Sequence, residues 1–85
     1  MARRKGEWEI VETAQPPAER HSLTPREREV LTWVAKGKSA WEIAKILDIA
    51  KRTVDAHVQT ASRRLGATNR AQAVAIALLH RLIEA

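Results

Sequence analysis

Arg52, Gln59 and Arg63 are rich in hydrogen-bond donors, and their spacing aligns them along one side of an α-helix. In a DNA major groove, arginine can bond guanine and glutamine can bond adenine. Asp55 on the flank of that line is an acceptor. It can take a hydrogen bond from the amino group of cytosine, or pair with Lys51 or Arg52 where a helix start favours negative charge. Both roles are open. Ala56 shares that line, and His57 and Thr60 complete the candidate set. His57 lies beside the apolar stripe of the same segment, so it suits a packed residue bonded to backbone or phosphate better than a base contact.

No other chemistry competes. Asp55 and His57 point to different sides of a helix and cannot act as a pair. No Gly-rich phosphate loop follows a strand, and no serine or threonine has a plausible base and orienting acid. The chain has no cysteine, which removes disulfides and thiolate metal sites and fits a reducing cytoplasm. His21, His57 and His80 have no ligand-like spacing. The reading is of a non-enzyme that needs no cofactor and no metal.

Helix signals locate the elements that hold these residues. Thr24-Pro25-Arg26-Glu27 is a capping box with proline at the first helical position. The helix it opens should bury Val30, Leu31 and Val34, with Trp33 at the edge of that face and a left-handed cap at Gly37. Ser39-Ala40-Trp41-Glu42 is a second capping box. It opens a short helix to about Leu47, with Ile43, Ala44 and Leu47 inward and Trp41 half-exposed in its first turn. A tight turn at residues 48–50 leads into a third helix over residues 51–65. Val54, Val58, Ala61 and Leu65 form its narrow buried stripe, opposite Arg52, Ala56, Gln59 and Arg63. Two helices joined by so short a turn make a helix-turn-helix, whose second helix can enter a major groove.

Gly66 ends the third helix, and Asn69 caps a fourth expected over residues 70–83. That helix is apolar on two sides. Val74, Ala77 and Leu78 suit the core. Ala75, Ile76, Leu79, Leu82 and Ile83 suit a partner, most simply a second copy, so Ile76, Leu79, Leu82 and Ile83 are the candidate dimer interface. Burial under the N-terminal arm is the alternative for that face.

The chain of 85 residues is one small domain. Residues 1–22 read as a flexible arm: Pro16-Pro17 breaks regular structure, and Arg3-Arg4-Lys5 is a solvated basic triplet. Trp8, Ile10 and Val11 could dock on the domain or form a short strand. The arm is neutral overall, so the net charge of +5 falls on residues 23–85. A small basic domain favours a polyanion through phosphate neutralisation and counterion release. The longest apolar run, residues 73–79, is far below the roughly 20 residues that span a bilayer. The charged start is followed by Gly6-Glu7-Trp8-Glu9 rather than an apolar leader, so neither secretion nor a membrane is expected.

Several motifs in order resemble a known family. Leu23-Thr24-Pro25-Arg26-Glu27-Arg28-Glu29-Val30-Leu31 comes first, then Gly37-Lys38-Ser39, Glu42-Ile43-Ala44 and Thr53-Val54-Asp55-Ala56-His57-Val58. Arg64-Leu65-Gly66-Ala67-Thr68-Asn69-Arg70-Ala71-Gln72-Ala73-Val74 closes the set. Together they resemble the LuxR-type, or GerE-type, DNA-binding domain over residues 23 to about 83. The variant Trp41-Glu42-Ile43-Ala44 is similar to the subgroup in quorum-sensing regulators of proteobacteria. The resemblance implies an all-α, four-helix (tetrahelical) domain that binds DNA as a dimer, its third helix in the major groove and its fourth commonly at the dimer contact. By position it implies base contacts for Asp55, Ala56 and Gln59, and phosphate or base contacts for Lys51, Thr53 and Arg63.

The chain departs from the family pattern in three places. Ala50 stands where serine is usual, so the reading helix lacks its side-chain cap. Asp48 replaces a common turn glycine; aspartate accepts left-handed geometry better than most residues. Residues 1–22 are too few for the receiver or ligand-sensing domain that the family usually carries, so no small-molecule ligand is expected and the regulatory input is open.

The expected function is therefore a sequence-specific, cytoplasmic, nucleoid-associated transcriptional regulator. It reads double-stranded DNA as a homodimer that is weak in solution. A sigma-factor-like promoter reader is an alternative from the Leu23 motif, though the capped fourth helix argues against it. An interaction protein that heterodimerises with full-length LuxR-type regulators through the fourth helix is the alternative of a different class.

Overall fold

The computed structural model describes residues 22–84. They form four helices: α1 (Pro25–Ala35), α2 (Ala40–Leu47), α3 (Lys51–Leu65) and α4 (Arg70–Leu79). This is the all-α, four-helix arrangement expected. The arm residues 1–21, with Trp8, Ile10 and Val11, lie outside the described residues.

Local chemistry sets where each helix begins. Thr24 and Glu27 close a reciprocal capping box, each side chain bonding the other's backbone N–H at 3.0–3.1 Å. Ser39 and Glu42 do the same at 2.8 and 3.2 Å. The Ser39 backbone N–H is the main cause holding the exposed Glu42 carboxyl below its ordinary range, helped by the Ser39 hydroxyl and the Lys38 charge against a small desolvation cost. At α4 the Asn69 side chain accepts from the Gln72 N–H at 2.8 Å, while Gln72 reaches back to the Thr68 N–H and hydroxyl. Only α3 starts bare: no side chain caps it from Ala50, as its sequence requires.

All four helices stop in the same way. A residue in the left-handed region follows each, and the next N–H bonds a carbonyl five residues back. Gly37 and Gly66 take these positions at φ 88° and 70°. Asp48 takes the third at φ 57°, where a shorter residue than most can enter αL. Arg81 takes the fourth at φ 58°, with Leu82 N–H bonding the Ala77 carbonyl at 2.8 Å.

The ending at Arg81 corrects one expectation. The fourth helix stops at Leu79 rather than running to Ile83. The left-handed turn swings the chain back, and Ile83 enters the core at 5% exposure. Burial of an isoleucine is worth about 1.5–3 kcal/mol, enough to offset about 1–2 kcal/mol for a non-glycine αL residue.

The core has two parts. Leu23, Leu31, Ala61, Leu65, Ala73, Ala77 and Ile83 make one cluster; Val30, Ala40, Ile43, Ala44 and Val54 make the other. The neighbours Val30 and Leu31, both fully buried, face different clusters, so α1 joins them. α3 packs on all three other helices. That leaves only its far side for anything outside the domain.

Candidate nucleic-acid interface

α3 follows its sequence pattern. Val54 and Ala61 are fully buried and Leu65 nearly so, with Val58 half-buried between them. On the other side Arg52, Asp55, Ala56, Gln59 and Arg63 are exposed. Lys51, Thr53, His57 and Thr60 are half-buried along the borders of that face. The nine residues therefore share one face and its edges. Among the described residues, no side chain engages Arg52, Gln59 or Arg63. Their donors point into solvent unspent.

Lys51 and Asp55 are engaged with each other. Lys51 Nζ donates to Asp55 Oδ2 at 2.8 Å across one helical turn. The same ammonium lies 5.8 Å from the centre of the Trp41 ring on α2. Trp41 is 68% exposed, more open than the half-exposed packing residue expected. Lys51 therefore links the two helices of the motif on the outer face. With no side-chain cap at Ala50, the Lys51 and Arg52 N–H groups at the start of α3 have no capping side chain.

The fourth helix gives a smaller outward surface than expected. Among the described residues, Leu79 is the most open large apolar side chain, at 80% exposure, and Leu78 is partly open beside it. Ile76 and Leu82 pack partly against the first cluster, and Ile83 lies inside it. Ile83 therefore leaves the candidate dimer face, which narrows to Leu79 with the exposed edges of its neighbours. Leu78, assigned to the core, lies at its border instead.

One polar element escaped the sequence reading. Glu27 is buried at 3% exposure. Its two carboxylate oxygens lie 3.0 and 3.3 Å from Arg64 Nε near the end of α3. Glu27 thus caps α1 and anchors α3 at once. The capping box accounts for Glu27 in sequence, so nothing local signals a second partner 37 residues away.

Fold and surface together define a helix-turn-helix domain with its second helix presented for contact. The family model for GerE, bacterial regulatory proteins of the luxR family, matches residues 21–77. The chain belongs to this family, which is one of regulatory proteins rather than enzymes. It is 53% identical over 74 residues to the transcriptional activator protein BjaR1 of Bradyrhizobium diazoefficiens, covering 87% of this chain and 30% of that one. It is 55% identical over 67 residues to the quorum sensing-dependent regulator RpaR of Rhodopseudomonas palustris, covering 79% and 28%. The chain thus spans under a third of the length of these curated relatives. Among solved structures, Escherichia coli SdiA superposes with a TM-score of 0.72 at 35% identity, covering 91% of this chain and 30% of that one. The transcription factor GerE gives a TM-score of 0.71 at 31% identity, covering 73% and 92%.

Proposed function

We propose that this chain binds double-stranded DNA in a sequence-specific way and regulates transcription, in the cytoplasm and on the nucleoid. The observation that carries the reading is the outer face of α3. Arg52, Gln59 and Arg63 stand in line, exposed and unpaired, on a helix whose opposite side is fixed in the core. Family membership supports it, as do the relatives BjaR1 and RpaR, whose names describe a transcriptional activator and a quorum-sensing regulator. In this reading Arg52, Asp55, Ala56 and Gln59 face bases. Lys51, Thr53, His57, Thr60 and Arg63 lie along the groove walls toward phosphates.

A lone domain reads only a few base pairs. Two copies on a two-fold site, with half-site centres about 34–36 Å apart, give useful specificity. Leu79 at the exposed edge of α4 is the residue best placed to join them, and the small size of that face suits pairing on DNA rather than in free solution.

The test is a binding titration against salt, with duplexes selected from a random pool. Affinity should fall with a log–log slope of about −0.9 for each phosphate neutralised. Salt-independent affinity, or no binding to any duplex at low salt, overturns the reading. If the chain fails to bind alone but alters DNA binding by a full-length relative, heterodimerisation replaces it.

A further inference from the structure

One side of α1, at the edge of the core, carries an open groove of about 430 Å³. Its floor is apolar, built from Leu23, Pro25 and Trp33, and its rim carries Arg28 and Lys36. Lys36 Nζ lies 6.0 Å from the centre of the Trp33 ring and closes one end. The one carboxylate on the rim, Glu29, is held by Arg26 at 3.1 Å. Among the described residues, no carboxylate pairs with Arg28 or Lys36. An apolar floor with a basic rim fits a segment that is apolar and acidic by turns.

The chain contains one such segment. Residues 7–12 read Glu7-Trp8-Glu9-Ile10-Val11-Glu12, three apolar side chains interleaved with three carboxylates. We propose that the groove on α1 is the docking site of this segment from the same chain, with Trp8 and Ile10 on the floor and the glutamates toward Arg28 and Lys36. Reach is sufficient. Residues 13–22 span up to about 33–36 Å when extended. The 11 residues of α1 are only about 16 Å long. The groove also begins at Leu23, where the arm enters the domain. A tether this short raises the effective concentration to the millimolar range, so a weak contact is populated. Duplex DNA fits less well, because a phosphate backbone has no use for the apolar floor. Docking there leaves the outer face of α3 clear.

The test uses the full chain, which has no cysteine of its own. Thr13→Cys places a single nitroxide label beside the segment without touching it. The amides of Arg28, Thr32 and Lys36 should lose several-fold more NMR intensity than that of Gln59 on α3. The loss should persist when the labelled chain is diluted tenfold with isotopically silent, unlabelled chain, which marks it as intramolecular. Trp8→Ser with Ile10→Ser, in the labelled chain, should restore the intensity at Thr32. So should Arg28→Glu with Lys36→Glu. Equal intensities across the domain overturn the proposal, as does intensity unchanged by both double variants. A loss that vanishes on dilution assigns the groove to a second copy. An α1 face that answers only to added duplex assigns it to DNA.

Discussion

Asp55 is an acid in a helix expected to meet phosphates, and its neighbours limit what it can do. Its pair with Lys51 is exposed, with 47% of the Asp55 side chain open, so it adds only about 0.3–0.5 kcal/mol to the fold. A contact that weak can be exchanged for one to DNA. Asp55→Ala removes a negative charge and frees Lys51, so binding to unrelated duplexes should tighten. If the carboxylate also accepts from a cytosine amino group, the variant loses discrimination at one base pair per half-site, about 1–3 kcal/mol. Selection of bound sequences with both proteins reads this directly. An unchanged preference at every position limits Asp55 to holding Lys51. Single residues show how far sequence reaches: the outward set on α3 follows from helical spacing alone, because the period is strict over four turns. The Glu27–Arg64 pair does not, because a buried contact between distant helix ends leaves no periodic trace.

Helix starts were legible because each depends on side chains within three or four residues. Thr24, Ser39 and Asn69 cap as their sequences require. Helix ends were legible only where glycine or aspartate marks the left-handed position. Arg81 carries no such mark. Its conformation is set by the burial of Ile83, a tertiary gain that local preference cannot encode, so α4 reads too long in sequence. The bare start of α3 has a measurable cost. Ala50 already has extended backbone at φ −70° and ψ 148°, which serine adopts equally well. Ala50→Ser should stabilise the domain by about 0.5–2 kcal/mol, a rise of several degrees in Tm. An unchanged melting temperature means that water already satisfies those N–H groups as well as a hydroxyl would.

At the scale of the whole molecule, the pairing proposed for α4 can be tested apart from folding. Leu79 contributes little to the core at 80% exposure. Leu79→Arg should therefore leave the folding stability within about 0.5 kcal/mol of the parent while weakening cooperative binding to a two-fold site. Collapse of the fold with cooperativity intact would reverse that assignment. The arrangement of α1 has a different consequence. Val30 and Leu31 anchor one helix in both apolar clusters, and Glu27 ties its first turn to the last turn of α3. Neither cluster can open without displacing α1, and displacing α1 opens the other. In hydrogen–deuterium exchange the central amides of α1 and α3 should share one opening free energy, equal to that of global unfolding. A slower class confined to one cluster would mean that each half opens alone. With a single shared class the domain has no partly open form, and whatever tunes this protein must act on a body that is either wholly folded or not folded at all.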